Sequence, residues 1–233
     1  MNYSIEAVVA RYPDIKIGVL VGKGLNIAKT DPSLEQYKSG ALREGLGKIG
    51  NNPASQHPYI ASWRNMYRSF GTKASDYHSS TEALVRRTIK TQQLPLINTA
   101  VDTYNAVSLK YLIPMGGFDM DLVVGDIFLR FSQGSEAFLG LGGTELEYTY
   151  PGEVVYTDTE RILTRRWNYR DCVETMITEM TANLVMFIDG SPEVPRAEVE
   201  KALDELSSQL LSYCGGSYFK QIADSGTPVV NLT

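Results

Sequence analysis

Helix patterns crowd the first half of this 233-residue sequence and short strand patterns fill the second. Segregated runs of this kind predict an α+β fold, with a mixed or antiparallel central sheet flanked by helices, rather than alternating βα units. No internal repeat and no clear domain boundary interrupts the chain. Hydrophobic residues make up 43% and charged residues 21%, which is ordinary for a globular fold. A chain of this length buries about 70% or more of its unfolded surface.

Residues 1–22 read as strand-like pieces, with Ile15–Val21 alternating and then fully apolar, as in a buried strand. Gly22-x-Gly24 opens neither a dinucleotide fingerprint nor a phosphate loop. Asp31-Pro32-Ser33 caps a helix running to about Gly45, because proline suits a first helical turn. Gly45–Pro53 is glycine- and asparagine-rich and reads as a loop. From His57 to Phe70, Ile60, Trp63, Met66, Tyr67 and Phe70 form the apolar stripe of a second helix. Ser79-Ser80-Thr81-Glu82 is a capping start for a helix over 80–92.

Pro95 then precedes Asn98–Leu112, where Val101, Asn105, Leu109 and Leu112 recur at helical spacing. Pro114-Met115-Gly116-Gly117 breaks this helix as a glycine turn, and Val123–Phe131 resumes as a strand. Short strands follow near Glu136–Gly140, Glu153–Thr157 and Arg161–Trp167, and Ala182–Ile188 reads as another buried strand. Pro195 opens the last helix, which runs to about Tyr213 and is stopped by Gly215. Ser225–Pro228 reads as a frayed tail. These assignments place an N-terminal strand-helix segment, 1–59, on a core of 60–215, with 216–233 as the tail.

The formal net charge of −5 removes whole-molecule attraction to nucleic acid, so any RNA contact uses a local basic patch and no DNA partner is expected. Cys172 and Cys214 form no spacing motif, and with only His57 and His78 beside them no zinc cluster is expected. No cofactor fingerprint is present. The N-terminus carries acidic residues without an apolar core, and no apolar run reaches 18 residues, so the expectation is a soluble, cytoplasmic protein with no membrane partner.

Three constellations carry chemistry. Asn98, Asp102 and Asn105 share a helical face leading to Gly116-Gly117, which makes that region the wall of a pocket or, equally in pattern, a braced turn. Arg161-x-x-x-Arg165-Arg166-Trp167-Asn168-Tyr169-Arg170-Asp171 interleaves arginines with aromatics, as a single-stranded RNA end requires. Strand alternation there puts Arg166, Asn168 and Arg170 on one face. The alternative is an ion-pair network with Asp158, Glu160 and Asp171 around a core tryptophan. Thr178, among the hydroxyls of 174–183, is a candidate contact for an amino or carbonyl group, or a turn residue.

Asn98-x-x-Val101-Asp102-x-x-Asn105, then Pro114-Met115-x-x-Phe118-Asp119, then Gly125-x-Ile127-x-x-Arg130, resembles the third and fourth domains of the bacterial phenylalanyl-tRNA synthetase β chain. That pair of domains is the synthetase's tRNA-editing module, and the likeness covers roughly 60–215. It implies a freestanding relative that binds the aminoacyl-tRNA 3′ end and hydrolyses mischarged ester without a metal. On that footing Asp102 is the candidate catalytic residue. Asn98, Tyr104, Asn105, Gly116, Gly117, Asp119 and Thr178 are candidate substrate contacts, and Arg166, Asn168 and Arg170 candidate RNA contacts. Two family side chains are replaced: Tyr104 stands where a threonine is expected and Gly116 where a histidine is. The family's glutamate has no certain counterpart, Glu145 matching only a short motif. The alternative function is a non-catalytic module that binds a free amino acid or small metabolite.

Overall fold

The computed structural model describes residues 1–233. In chain order its elements are β1 (Asn2–Ser4), α1 (Glu6–Val9), β2 (Lys16–Lys23), α2 (Pro32–Ile49), α3 (Pro58–Ser69), α4 (Ser80–Thr91) and α5 (Thr99–Tyr111). Then come β3 (Met115–Asp119), β4 (Ile127–Phe131), β5 (Ala137–Phe138), β6 (Glu147–Tyr148), β7 (Val154–Thr157), β8 (Ile162–Arg165) and β9 (Arg170–Asp171). The chain ends with β10 (Asn183–Gly190), α6 (Arg196–Cys214), β11 (Ser217–Ala223) and β12 (Val229–Asn231). The class is α+β, with the strands divided between two main sheets. One is antiparallel with order β11-β2-β10-β3, and the other is mixed with order β12-β1-β4-β7-β8-β9. Within the mixed sheet only β1 and β4 run parallel.

β2 and β10 form the spine, paired antiparallel from Lys23↔Asn183 to Lys16↔Gly190. Both are covered on both faces, which is why each reads as a nearly unbroken apolar run. Ile17, Val19, Val21, Val185 and Phe187 join a core between the sheets with Trp63, Tyr67, Leu129, Tyr156 and Trp167. Their neighbours of opposite parity, Leu20, Leu184, Met186 and Ile188, join a second core with Val199, Leu203, Leu206 and Leu210 of α6. Each such side chain, fully buried, contributes about 1.5–3 kcal/mol relative to exposure. α5 and α6 thus cover the outer face of the antiparallel sheet, while α3 packs into the core between the two sheets.

Side-chain caps fix where most helices begin. Asp31 accepts from the Ser33 amide at 2.8 Å, Ser79 from Glu82 at 3.3 Å and Asn98 from Val101 at 2.9 Å. α2 passes through Gly45, read above as the start of a loop, and continues to Ile49. A Cβ at Gly45 would overlap the Leu109 carbonyl, so glycine permits the close crossing of α2 on α5, and packing there outweighs its low helix propensity.

Three other expectations change. Gly116-Gly117 lies inside a strand, β3, held by pairing of Phe187 with Gly116 and of Met186 with Gly117. Val123–Asp126 turns, with Gly125 at φ +73°, so the strand begins only at Ile127. The tail is ordered by pairing: β11 runs along β2, β12 pairs with β1, and Asp224–Thr227 bridges the turn between them. No helix is long and apolar enough to cross a membrane.

Candidate functional site

Strand parity sends Gly116 and Phe118 of β3, and Phe187 and Asp189 of β10, into the space between the sheets. Tyr156 and Thr164 of the mixed sheet, with Asp171 of β9, meet them there, and together they line a pocket of about 220 Å³. Its floor is a polar network inside aromatic walls. Tyr156 Oη donates to Asp189 Oδ1 at 2.6 Å, Asn168 Nδ2 donates to Asp189 Oδ2 at 3.1 Å, and Tyr67 Oη donates to Asn168 Oδ1 at 2.9 Å. Thr164 Oγ1 donates to Asp171 Oδ1 at 2.6 Å.

The turn joining β8 to β9 delivers Asn168 to this network. Arg166 and Trp167 have φ of 49° and 66°, a left-handed conformation that costs non-glycine residues roughly 1–3 kcal/mol each. Packing offsets it. The Trp167 indole is fully buried with its ring centroid 5.2 Å from that of Trp63, and the Arg166 guanidinium lies 3.7 Å from the Tyr77 ring centroid. The Ser80 amide at the start of α4 donates to the Asn168 carbonyl at 2.9 Å.

Both carboxyls are displaced upward. Burial, aided by the nearby Asp171 charge and opposed by the Tyr156 and Asn168 hydrogen bonds, pushes Asp189 to about 7. Burial pushes Asp171 to about 6 against the Thr164 hydrogen bond. Neither has a lysine or arginine partner. The interior is suited to a donor or a cation, and the half-exposed Arg170 and Tyr169 stand at its edge.

Of the sequence-derived candidates, Gly116, Asn168 and Arg170 line the pocket. A Cβ on Gly116 would stand 3.4 Å from Asp171 Oδ2, whereas one on Gly117, facing the other way, would collide with Met186. Asn98 caps α5 and donates to the Ile177 carbonyl at 3.2 Å. Asp102 accepts from the Ile97 amide at 2.8 Å and pairs with Lys38 at 3.0 Å. Tyr104 is held within reach of the Asp171 and Asp102 charges, which after burial raise its pKa, yet it does not line the pocket, and neither does Asn105. Asp119 accepts from Thr181 Oγ1 at 2.6 Å, and Thr178 accepts from the Met180 amide at 3.1 Å. Asn98, Asp102, Asn105, Asp119 and Thr178 are not among the residues that line the pocket.

The arginine-rich run does not alternate as a solvent-facing strand. Arg166 and Asn168 are buried, because the left-handed pair reverses the chain between them. Arg165 holds Glu153 at 2.8 Å and Glu147 at 2.8 Å, and Arg161 holds Asp158 at 3.3 Å. The ion-pair network is thus present, though built on Glu153 and Glu147 in place of Asp171. Asp189, Tyr156, Thr164 and Trp167 escaped sequence reasoning as site residues. Asp189 preceding Gly-Ser-Pro resembles an ordinary strand stop, and only strand parity in β10 points it at Phe187's side of the sheet.

The family model of the B3/4 domain matches residues 62–215. No curated protein matches the chain. Among solved structures, an N-terminal fragment of the phenylalanyl-tRNA synthetase beta-subunit from Pyrococcus horikoshii is similar, with 12% identity and a TM-score of 0.49. That match covers 94% of this chain and 53% of the fragment, so the chain spans about half its length. With its family match extending over most of its length, the chain belongs to the B3/4 domain family, of the phenylalanyl-tRNA synthetase beta-subunit type.

Proposed function

We propose that the pocket between the sheets receives the aminoacyl group at the 3′ end of a tRNA, and that the reaction is hydrolysis of a wrongly attached amino acid. The observation that carries this reading is the place of the motif Pro114-Met115-x-x-Phe118-Asp119: its strand is the pocket wall, with Gly116 and Phe118 both facing the cavity. A volume of about 220 Å³ lies below the roughly 300–1,000 Å³ of sites for drug-sized ligands. It admits an amino-acid-sized group and leaves the nucleotides outside, where Tyr169 offers a stacking face and Arg170 a charge for phosphate. Asn98, Asp102, Asn105, Asp119 and Thr178 act in this proposal by holding α5, β3 and the 176–181 loop around the pocket.

A second reading follows from Gly116, which brings no side chain to the position of the family's histidine: the module binds an amino-acid moiety without hydrolysing it. One experiment separates the two. Correctly and wrongly charged tRNAs are incubated with the protein and scored for binding and for deacylation. Selective loss of the mischarged ester supports editing, binding without turnover supports the module, and no binding to any charged tRNA removes both RNA readings.

A further inference from the structure

Asp189, which is buried, and the half-buried Asp171 differ from most interior carboxylates in having no cation partner, as does Asp119, which meets only the Thr181 hydroxyl and the Asp121 amide. Asp102 is neutralised by Lys38, Glu82 by Arg64, Glu153 by Arg165 and Asp158 by Arg161. The two pocket carboxylates face a cavity instead, and the nearest guanidinium along the chain, Arg170, leans over Tyr169 and toward Glu147 at 3.7 Å. Burial of carboxylates without a cation is costly, and a cavity shaped beside them is where a partner fits.

One further group in the same wall lacks a partner: Ser80 Oγ, a buried atom, is free to accept. Tyr156, Phe118 and Phe187 complete the aromatic lining, and aromatic rings attract positive charge to their faces.

We propose that the Asp171–Asp189 pair recognises a cationic nitrogen, so that the ligand enters with a free primary ammonium group. Resting on the aminoacyl reading above, this makes the unblocked α-amino group the feature the pocket reads, and N-acylated aminoacyl compounds the ones it rejects. An ammonium has three donors. Asp171 Oδ2, which receives no hydrogen bond from the protein, Asp189 and Ser80 Oγ supply acceptors, while Gly116 leaves the approach open.

The test uses the full chain and a panel of the twenty L-amino-acid amides, each with its N-acetyl counterpart, followed by titration calorimetry. At least one amide is expected to bind, with about a tenfold or greater loss on N-acetylation and a similar loss in Asp171→Asn, which keeps an acceptor for Thr164. Asp171→Asn is preferred to a change at Asp189, whose carboxylate holds Tyr156 and Asn168. A thermal melt of the variant confirms folding, and Gly116→Val, which retains both charges but fills the space, should lose binding as well. Equal affinity for free and acetylated amides, or no binding by any amide, overturns the proposal. The aminoacyl-tRNA reading fails separately: amides that bind through Asp171 while charged tRNA does not would retain the cation site and remove the RNA. Charged tRNA bound equally well with its amino group acetylated would do the reverse.

Discussion

The backbone of Gly116 in β3 faces the carboxylate of Asp171 in β9 across the pocket, so closely that a methyl group on Gly116 would touch Asp171 Oδ2 at 3.4 Å. The two residues belong to different sheets, and with no side chain on Gly116 the space between them stays open. Gly116 has an ordinary strand conformation with no positive φ. Gly116→Val is therefore expected to close the pocket and abolish ligand binding while costing no more than about 3 kcal/mol of stability, the upper end for methyl groups added to a packed site. Urea unfolding and amide titration on the same sample check both halves, and a variant that still binds at wild-type affinity would place the ligand elsewhere.

Stability and binding should respond to pH in opposite directions. Asp189, at about 7, and Asp171, at about 6, hold protons in the folded state that the unfolded chain releases near 4. The folded state thus binds more protons between about pH 4 and 7, and stability falls as pH rises through that window, by on the order of a few kcal/mol. Tyr3, Tyr67, Tyr156, Asn168 and Trp167 surround Asp189, and Thr164, Tyr104 and Arg170 surround Asp171, so no histidine adjoins the pair. Urea midpoints without ligand should be higher at pH 5 than at pH 8, the difference shrinking in Asp171→Asn. Affinity for an ammonium ligand, which needs ionised carboxylates, should rise over the same interval.

Local chemistry was readable at the helix starts, where Asp31, Ser79 and Asn98 announce their caps, and in β2 and β10, whose apolar runs announce burial on both faces. What was hidden depends on distant partners. Gly116-Gly117 has the composition of a turn, and only pairing with Phe187 and Met186 makes it a strand. Gly45 weakens its helix in isolation and enables the α2–α5 contact in the fold. The pocket was half visible: Gly116, Asn168 and Arg170 carried signals, whereas the facing of Asp171 toward Gly116 requires knowing which strands oppose each other across two sheets.

Asp102 distinguishes bracing from catalysis. Its side chain is 2% exposed and bonds Lys38, itself 6% exposed. Burial lowers the Lys38 pKa, but the Glu35 and Asp102 hydrogen bonds outweigh it and raise the value overall. Asp102→Asn preserves an acceptor for the Ile97 amide and removes the charge. Lys38 retains Glu35, so the expected loss of stability is at the low end of the roughly 3–5 kcal/mol seen when a buried pair is broken. Amide binding should stay within about twofold of wild type, less than about 0.5 kcal/mol. Destabilisation with intact affinity assigns Asp102 to bracing, and a tenfold loss of affinity in a stable variant assigns it to the ligand.

Arg166, in the β8–β9 turn, and Arg170, at the start of β9, should separate structure from RNA contact. The Arg170 side chain is 38% exposed at the pocket edge, held by the loose Glu147 pair, the Tyr169 face and a long hydrogen bond to the Tyr169 hydroxyl. Arg170→Ala should leave stability within about 0.5 kcal/mol. If the residue meets a tRNA phosphate, affinity falls at low salt and the dependence of log affinity on log salt loses about 0.7 from its slope. Arg166 behaves differently, because the residue is 6% exposed, its guanidinium stacks over Tyr77 and two of its nitrogens lack hydrogen-bond partners. Arg166→Ala removes a desolvated cation–π contact of about 2 kcal/mol and empties buried volume in a turn already held in a left-handed conformation. It should therefore destabilise the protein and displace Asn168 from Asp189, so any loss of RNA binding would track loss of folded protein. Filter binding across a potassium chloride series, paired with urea melts, reads both variants. A salt slope unchanged by Arg170→Ala removes that residue from the RNA interface, and a fully stable Arg166→Ala shows that the turn does not depend on the stacked guanidinium.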